Sequence, residues 1–262
     1  MQLRRPDQRK VGLALGGGAV LGAAHIGVLK ALEEREIPLH CISGTSIGAL
    51  VGALYAFDVP VEKIGEIAKS MRFMDISSLS LSRFGILSNE PVAEVLKKHI
   101  GKDANIEDAR LPLAVVATDI GNGERVVFRS GRLSQAVMAS TCVPGVFAPV
   151  EWDGRLLVDG GLVENVPVSP LKAMGAVTRV GVDLNANRRY SKPEDIFDVV
   201  ANGIDIAIDH SARIQGSEAE VRIAPDLNGH SRTDPAEVDA LIQAGYECAM
   251  KAIDEHFFLK VF

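Results

Sequence analysis

Cys41-Ile42-Ser43-Gly44-Thr45-Ser46-Ile47-Gly48-Ala49-Leu50-Val51 decides how this chain folds: a short apolar run, a Gly-x-Ser-x-Gly turn, then a Gly/Ala-rich apolar helix reaching Phe57. Strand, sharp turn and helix in that order present a serine at the end of a buried strand. The flanking glycines have a steric reason, because an elbow this tight leaves no room for Cβ at Gly44 or Gly48 and calls for positive φ there. The helix beginning after Ser46 directs its free N–H groups and positive dipole end toward negative charge developing nearby. Ser46 is the leading candidate nucleophile, although Gly and Ser are also ordinary turn residues.

Upstream, Val11-Gly12-Leu13-Ala14-Leu15 reads as a buried strand running into Gly16-Gly17-Gly18-Ala19-Val20-Leu21-Gly22, with a helix starting around Ala23. Consecutive glycines let backbone N–H groups converge with no side chain in the way, so the loop can serve as an oxyanion hole or as a phosphate cradle. Downstream, Leu156-Leu157-Val158-Asp159-Gly160-Gly161 is an apolar strand ending in a carboxylate and two glycines. An aspartate there can point across a cleft to another strand end. Alone, Asp-Gly is an ordinary turn dipeptide.

Elsewhere, periodicity predicts helices over 27–34, 61–71, 91–99, 133–140, 193–214 and 235–257, and strands over 113–118, 125–128, 177–184 and 221–224. Gly121-Asn122-Gly123 makes a turn between the 113–118 and 125–128 strands. Strand-helix alternation predicts an α/β fold with a mostly parallel central sheet and helices on both faces. The 262 residues suit a single domain, 1–262, with its core at about 11–175. Asp75 to Asn89, rich in Ser and Leu around Phe84-Gly85, reads as a mobile cap over the cleft or as a plain surface connection.

With 47% hydrophobic and 24% charged residues the composition is that of an ordinary globular protein. A net charge of -6 and a pI near 5.6 speak against nucleic-acid binding and against tight docking on anionic membranes. Cys41, Cys142 and Cys248 have neither C-x-x-C nor metal-ligand spacing, so reduced thiols, no disulfide, no metal and no cofactor are expected in a cytoplasmic chain. Arg4, Arg5, Arg9 and Lys10 before the uncharged run Val11 to Leu29 mimic a signal peptide or a membrane span. The glycines of that run, with His25, make a poor lipid-facing helix, whereas strand, loop and helix give each glycine a reason.

Together these residues resemble the patatin-like phospholipase family of lipid acyl hydrolases over nearly the whole chain. Gly16 to Gly22 is similar to the family's glycine-rich loop, and Gly44 to Gly48 to its nucleophile elbow. Asp159-Gly160-Gly161, followed by Asn165 and Pro167, is similar to its Asp-Gly-Gly/Ala element. Ala139-Ser140 with Pro144, Phe147 and Pro149 is similar to the segment preceding that aspartate in bacterial members. The resemblance implies a three-layer patatin-like fold, a lipid or fatty-acyl ester substrate, transient contact with a membrane surface, and a Ser-Asp dyad in place of a Ser-His-Asp triad. In that dyad Asp159 accepts the Ser46 proton during attack on an ester carbonyl, and water later hydrolyses the acyl-enzyme with the same base. Gly16, Gly17 and Gly18, helped by the Ile47 N–H, are the implied oxyanion hole, with Gly22, Gly44, Gly48, Gly160 and Gly161 supporting the motifs. A carboxylate of pKa about 4 is a weak base, so either its pKa rises in an apolar cleft or the oxyanion hole carries most of the barrier reduction. The chain departs from the family at Leu21, where most members carry Arg or Lys; this removes a cation able to brace the loop or meet an anionic head group.

Two other readings stay open. One keeps the fold and drops the chemistry, giving a regulatory or adaptor protein with a vestigial site; Leu21 supports it, while intact Ser46 and Asp159 oppose it. The other is nucleotide binding at the glycine-rich turn. Its spacing disagrees, because Leu21 stands at the third position of G-x-G-x-x-G, no acidic residue closes the second strand, and no Gly-Lys-Ser/Thr follows. His25, His40, His99, His210, His230 and His256 could each complete a triad, but none has a supporting motif, and all six read as structural or surface residues.

Overall fold

The computed structural model describes residues 10–71, 78–79, 87–102, 104–231 and 235–258. From the N-terminus the chain forms β1 (Val11–Leu15), α1 (Ala23–Glu34), β2 (Leu39–Thr45), α2 (Ile47–Ala56) and α3 (Val61–Ser70). Next come β3 (Ser78–Leu79), β4 (Leu87–Ser88), α4 (Glu90–His99), β5 (Leu113–Asp119), β6 (Arg125–Phe128) and α5 (Leu133–Ser140). The remainder is β7 (Val150–Trp152), β8 (Arg155–Asp159), α6 (Gly161–Glu164), α7 (Ser169–Ala173), β9 (Thr178–Val182), α8 (Ile196–Gly216), β10 (Val221–Ile223) and α9 (Val238–Ile253).

The main sheet has the order β10-β9-β1-β2-β5-β8-β7, with β6 also on β5. Its first five strands are mutually parallel, whereas β6, β7 and β8 run antiparallel to their neighbours. β1 is central and buried along its whole length, which a parallel strand requires because helices must cover both faces. Its side chains alternate in size. Val11, Leu13 and Leu15 join the large apolar cluster that includes Leu29, Leu54 and Leu241, while Ala14 joins a smaller one with Cys41, Val168 and Leu171. On that second face the sheet is pressed close to α7, so that a Cβ on Gly12 would stand 2.7 Å from Ala176 Cβ and 3.2 Å from Leu171 Cβ. The thick face is closed by α1 and α9, whose backbones touch at two glycines. A Cβ on Gly27 would overlap the Ile242 carbonyl, and one on Gly245 the Ala24 carbonyl.

The predicted hairpin over 113–128 forms as the antiparallel pair β5–β6. Several boundaries differ from expectation. The strand predicted over 177–184 spans only Thr178–Val182; Asp183, just past it, still donates its N–H to the Ile223 carbonyl at 2.9 Å while its carboxylate pairs with Arg222 at 2.8 Å. The helix predicted over 193–214 starts at Ile196, behind an Asp195 side chain that accepts from the Asp198 N–H at 2.9 Å. The helix predicted over 235–257 is a short 3-10 turn, Pro235–Glu237, followed by α9. β7 carries no sequence signal, being three residues long with Glu151 in the middle, yet it closes the sheet edge against β8. Of the expected cap, residues 75–77 and 80–86 lie outside the described residues; β3 and β4 pair, and Leu87 bonds to Val146 and Ala148. Among the described residues no helix is long and apolar enough to cross a membrane.

Candidate active site

Two strand ends are brought face to face by β5. This strand pairs with β2 through Leu113–Val116 and with β8 through Ala117–Asp119, while β6 covers Val115–Thr118 from the other side. β2 and β8 therefore lie end to end on one edge. β2 arrives parallel to β5 and β8 antiparallel, so their C-terminal residues meet: Thr45 pairs with Val116, and Asp159 with Ala117.

At the end of β2 the chain turns through Ser46, which has φ 56° and ψ −127°. The sequence placed positive φ on the flanking glycines; the structure places it on the serine, and neither Gly44 nor Gly48 adopts it. What those glycines supply is space. A Cβ on Gly44 would lie 2.5 Å from Ala49 Cα, and one on Gly48 would overlap the Leu15 carbonyl. A strained serine persists only where its surroundings fix it. Here the Ser46 N–H donates to Ser140 Oγ at 2.8 Å, and the Ser140 hydroxyl donates to the Val116 carbonyl at 2.6 Å. Thr45 Oγ1 donates to the Glu164 carbonyl at 2.8 Å on the opposite flank.

Asp159 is 8% exposed and its carboxylate interacts with the Ser46 side chain, both residues lining the same cleft. Its Oδ1 also accepts the Gly161 N–H at 2.8 Å, while its own N–H donates to the Cys142 carbonyl at 2.8 Å. Burial pushes its pKa up to about 6, against the lowering effect of the interaction with Ser46 and the bond from Gly161. A Cβ on Gly160 would overlap the Val116 carbonyl, so the turn after the carboxylate has to be glycine.

The glycine-rich loop differs from expectation in its donors. The Gly16 N–H is engaged by the Val182 carbonyl at 3.1 Å and the Gly17 N–H by the Asn165 carbonyl at 3.2 Å, so neither points a free N–H at the cleft. These bonds stitch the loop between β9 and the segment after α6. The N–H groups of Gly18 and Ile47 have no backbone acceptor among the described residues. Below the loop, buried His25 places Nε2 2.8 Å from the Gly16 carbonyl, and burial pulls its pKa down to about 4, keeping it neutral. Asn185 Nδ2 donates to the Gly17 carbonyl at 3.2 Å. Leu21 is 4% exposed and lines a second cavity of about 300 Å³ beside Arg188, Tyr190 and Asn228, not the cleft that holds Ser46. A cation at position 21 would therefore not face a head group in that cleft.

That cleft encloses about 460 Å³. Gly17, Gly18, Ser46, Asp159, Asn165 and Asn185 contribute polar groups to its lining, which is mostly apolar, with Leu54, Ile64, Ile67, Met71, Val92 and Phe147 in it. Among the described residues no histidine lines it. His40 sits 3.2 Å from the Met174 carbonyl, and His230 Nδ1 2.5 Å from Glu237. The bracing by Ser140 and Asn185 escaped the sequence reading. Asn185 follows β9 at the carboxyl end of a parallel sheet, where ligands of such folds bind, and that position was the available signal.

A family model described as patatin-like phospholipase matches residues 13–172. An uncharacterized NTE family protein of Mycobacterium tuberculosis is 38% identical over 190 residues, covering 71% of this chain and 52% of that protein. A protein named lysophospholipase NTE1, of Mycosarcoma maydis, is 36% identical over 191 residues, 70% of this chain and 10% of its own length. The chain thus spans about half of the mycobacterial relative and a small part of the fungal one. Among solved structures, the type III effector protein ExoU superposes with a TM-score of 0.54 at 14% identity, covering 95% of this chain and 53% of ExoU, a likeness of fold.

Proposed function

Because the chain belongs to the patatin-like phospholipase family, we propose that it is a serine acyl hydrolase cleaving carboxylic esters of lipids, with Ser46 as nucleophile and Asp159 as general base. The observation that carries this reading is the placement of Ser46, on a strained elbow, beside a buried carboxylate in the lining of a largely apolar cleft. Ser46 Oγ attacks the acyl carbon and its proton passes to Asp159. The carbonyl oxygen becomes an oxyanion, for which the Gly18 and Ile47 N–H groups are the available donors, the latter at the positive end of α2. Collapse breaks the ester C–O bond, and the departing alkoxide takes the proton from Asp159. Water then attacks the acyl-serine, losing a proton to the same carboxylate; collapse breaks the Ser46 ester bond and releases the fatty acid, and Ser46 Oγ takes the proton back from Asp159.

A pKa near 6 suits this role: the group is largely ionised at neutral pH yet more basic than an ordinary carboxylate. The cleft volume lies within the roughly 300–1,000 Å³ of small-molecule sites, and its apolar walls suit an acyl chain. The name of the fungal relative makes a single-chain lysophospholipid the first substrate to try. Labelling by a fluorophosphonate ester, followed by intact mass, tests the proposal. One adduct on the wild type and none on Ser46→Ala is expected, whereas a folded wild type that takes no label overturns it.

A further inference from the structure

With the Gly16 and Gly17 N–H groups engaged within the fold, only the Gly18 and Ile47 N–H groups of the four expected donors lack a backbone acceptor among the described residues. One buried side-chain donor in the same cleft has no acceptor. Asn165 is 3% exposed and lines the cleft, and its Nδ2 makes no hydrogen bond in the structure. Leaving a buried amide donor unpaired is costly, and such groups are characteristic of sites completed by a ligand.

The surroundings fix where that amide sits. A Cβ on Gly17 would stand 2.6 Å from Asn165 Oδ1 and 3.2 Å from Ser46 Cβ. A Cβ on Gly161 would stand 3.1 Å from Asp159 Oδ1 and 3.2 Å from Asn165 Oδ1. Two glycines, one on each motif, thus clear the space around the Asn165 amide oxygen, which places the amide group in the neighbourhood of Ser46 and Asp159. The Asn165 carbonyl meanwhile holds the Gly17 N–H, so one residue anchors the loop through its backbone and offers a donor through its side chain.

We propose that the Asn165 side-chain amide donates to the acyl oxygen of the bound ester as charge develops there, supplying the donor that Gly16 and Gly17 do not. This inference rests on the Ser46–Asp159 reading and adds a catalytic residue to it. A donor to the oxyanion acts in the transition state and hardly at all on the neutral ester, so its loss falls on kcat.

The test compares wild type, Asn165→Ala and Asn165→Asp on p-nitrophenyl butanoate, with fluorophosphonate labelling in parallel. Removing one oxyanion donor costs on the order of a hundredfold in kcat. Asn165→Ala is expected to show that loss with KM within about twofold, an acid limb of the pH profile where the wild type has it, and full but slower labelling of Ser46. Asn165→Asp keeps the shape and loses the donor when ionised, so it should be no more active than the alanine variant. Wild-type kcat in Asn165→Ala, or a loss confined to KM, overturns the inference while Ser46 labelling leaves the dyad standing. An Asn165→Ala loss accompanied by a shifted acid limb and recovered in Asn165→Asp would make the residue a positioning group and also overturn it. Failure of the wild type itself to label strikes the underlying reading instead.

Discussion

Thr45 and Asp159 pair with consecutive residues of β5, Val116 and Ala117, approaching from opposite directions along a single strand edge. Strands that abut in this way bring their C-terminal ends together without any long side chain, so a serine and an aspartate, both short, come to interact across the gap. Neither side chain has much rotamer freedom to lose, and the hydrogen bonds of the sheet hold both backbones. The arrangement is preorganised by the ladder itself.

Ser46→Ala should reduce ester hydrolysis to below about a thousandth of the wild-type rate with little change in melting temperature. Ser46→Gly should be as inactive yet melt higher than Ser46→Ala, because relieving a non-glycine residue at φ 56° recovers on the order of 1 kcal/mol. Parallel thermal melts and assays decide; a glycine variant less stable than the alanine variant would show that the elbow is not strained.

Asp159 links activity and stability to pH. Its folded-state pKa of about 6 stands above the 3.8 of an ordinary aspartate, so between these values the folded chain holds a proton that the unfolded chain has released. Stability therefore falls as pH rises through that window, by about 3 kcal/mol once both states are ionised. Asp159→Asn removes this penalty and should be the more stable protein at pH 8, the gain vanishing below about pH 4. The wild-type kcat should rise with pH through an acid limb near 6, the value at which Asp159 ionises, and the variant should be inactive throughout. Urea titrations at pH 4 and pH 8 check the stability half; equal midpoints for wild type and variant at pH 8 would contradict it.

Leu21→Arg should leave the ratio of phospholipid to neutral-ester hydrolysis unchanged, since the side chain faces the Arg188 cavity and not the cleft. The new guanidinium would meet the one at Arg188, which is already held by Asp205 and Asp209. A lowered melting temperature is the expected outcome. A rise in that substrate ratio would show that position 21 reaches the substrate after all.

Gly245→Ala tests the α1–α9 contact, where a methyl group would overlap the Ala24 carbonyl. Backbone cannot yield as a flexible side chain does, so a loss of about 2 kcal/mol or more is expected by denaturant titration. Gly203→Ala, at an open position of α8, serves as the control and should be neutral or stabilising.

The amino-acid sequence by itself determined the local pieces: strand periodicity at 11–15 and 113–118, the glycine punctuation at 16–18, 44–48 and 160–161, and the helices between them. These are short-range properties, set by steric limits on φ and ψ and by the period of apolar side chains, and they suffice to nominate Ser46, while the role of Asp159 came from the resemblance of the three motifs to a known family. Tertiary structure alone decided which backbone donors remain free. Gly16 and Gly17 look equivalent to Gly18 in the sequence, yet their N–H groups are claimed by Val182 and Asn165, residues far along the chain. It also decided that Leu21 faces away from the cleft, that His25 is a neutral brace, and that Asn165 comes to rest between two motifs. The physical reason is the same in each case: a hydrogen bond or a buried charge is settled by whichever groups the fold brings within about 3 Å, and sequence separation carries no record of that.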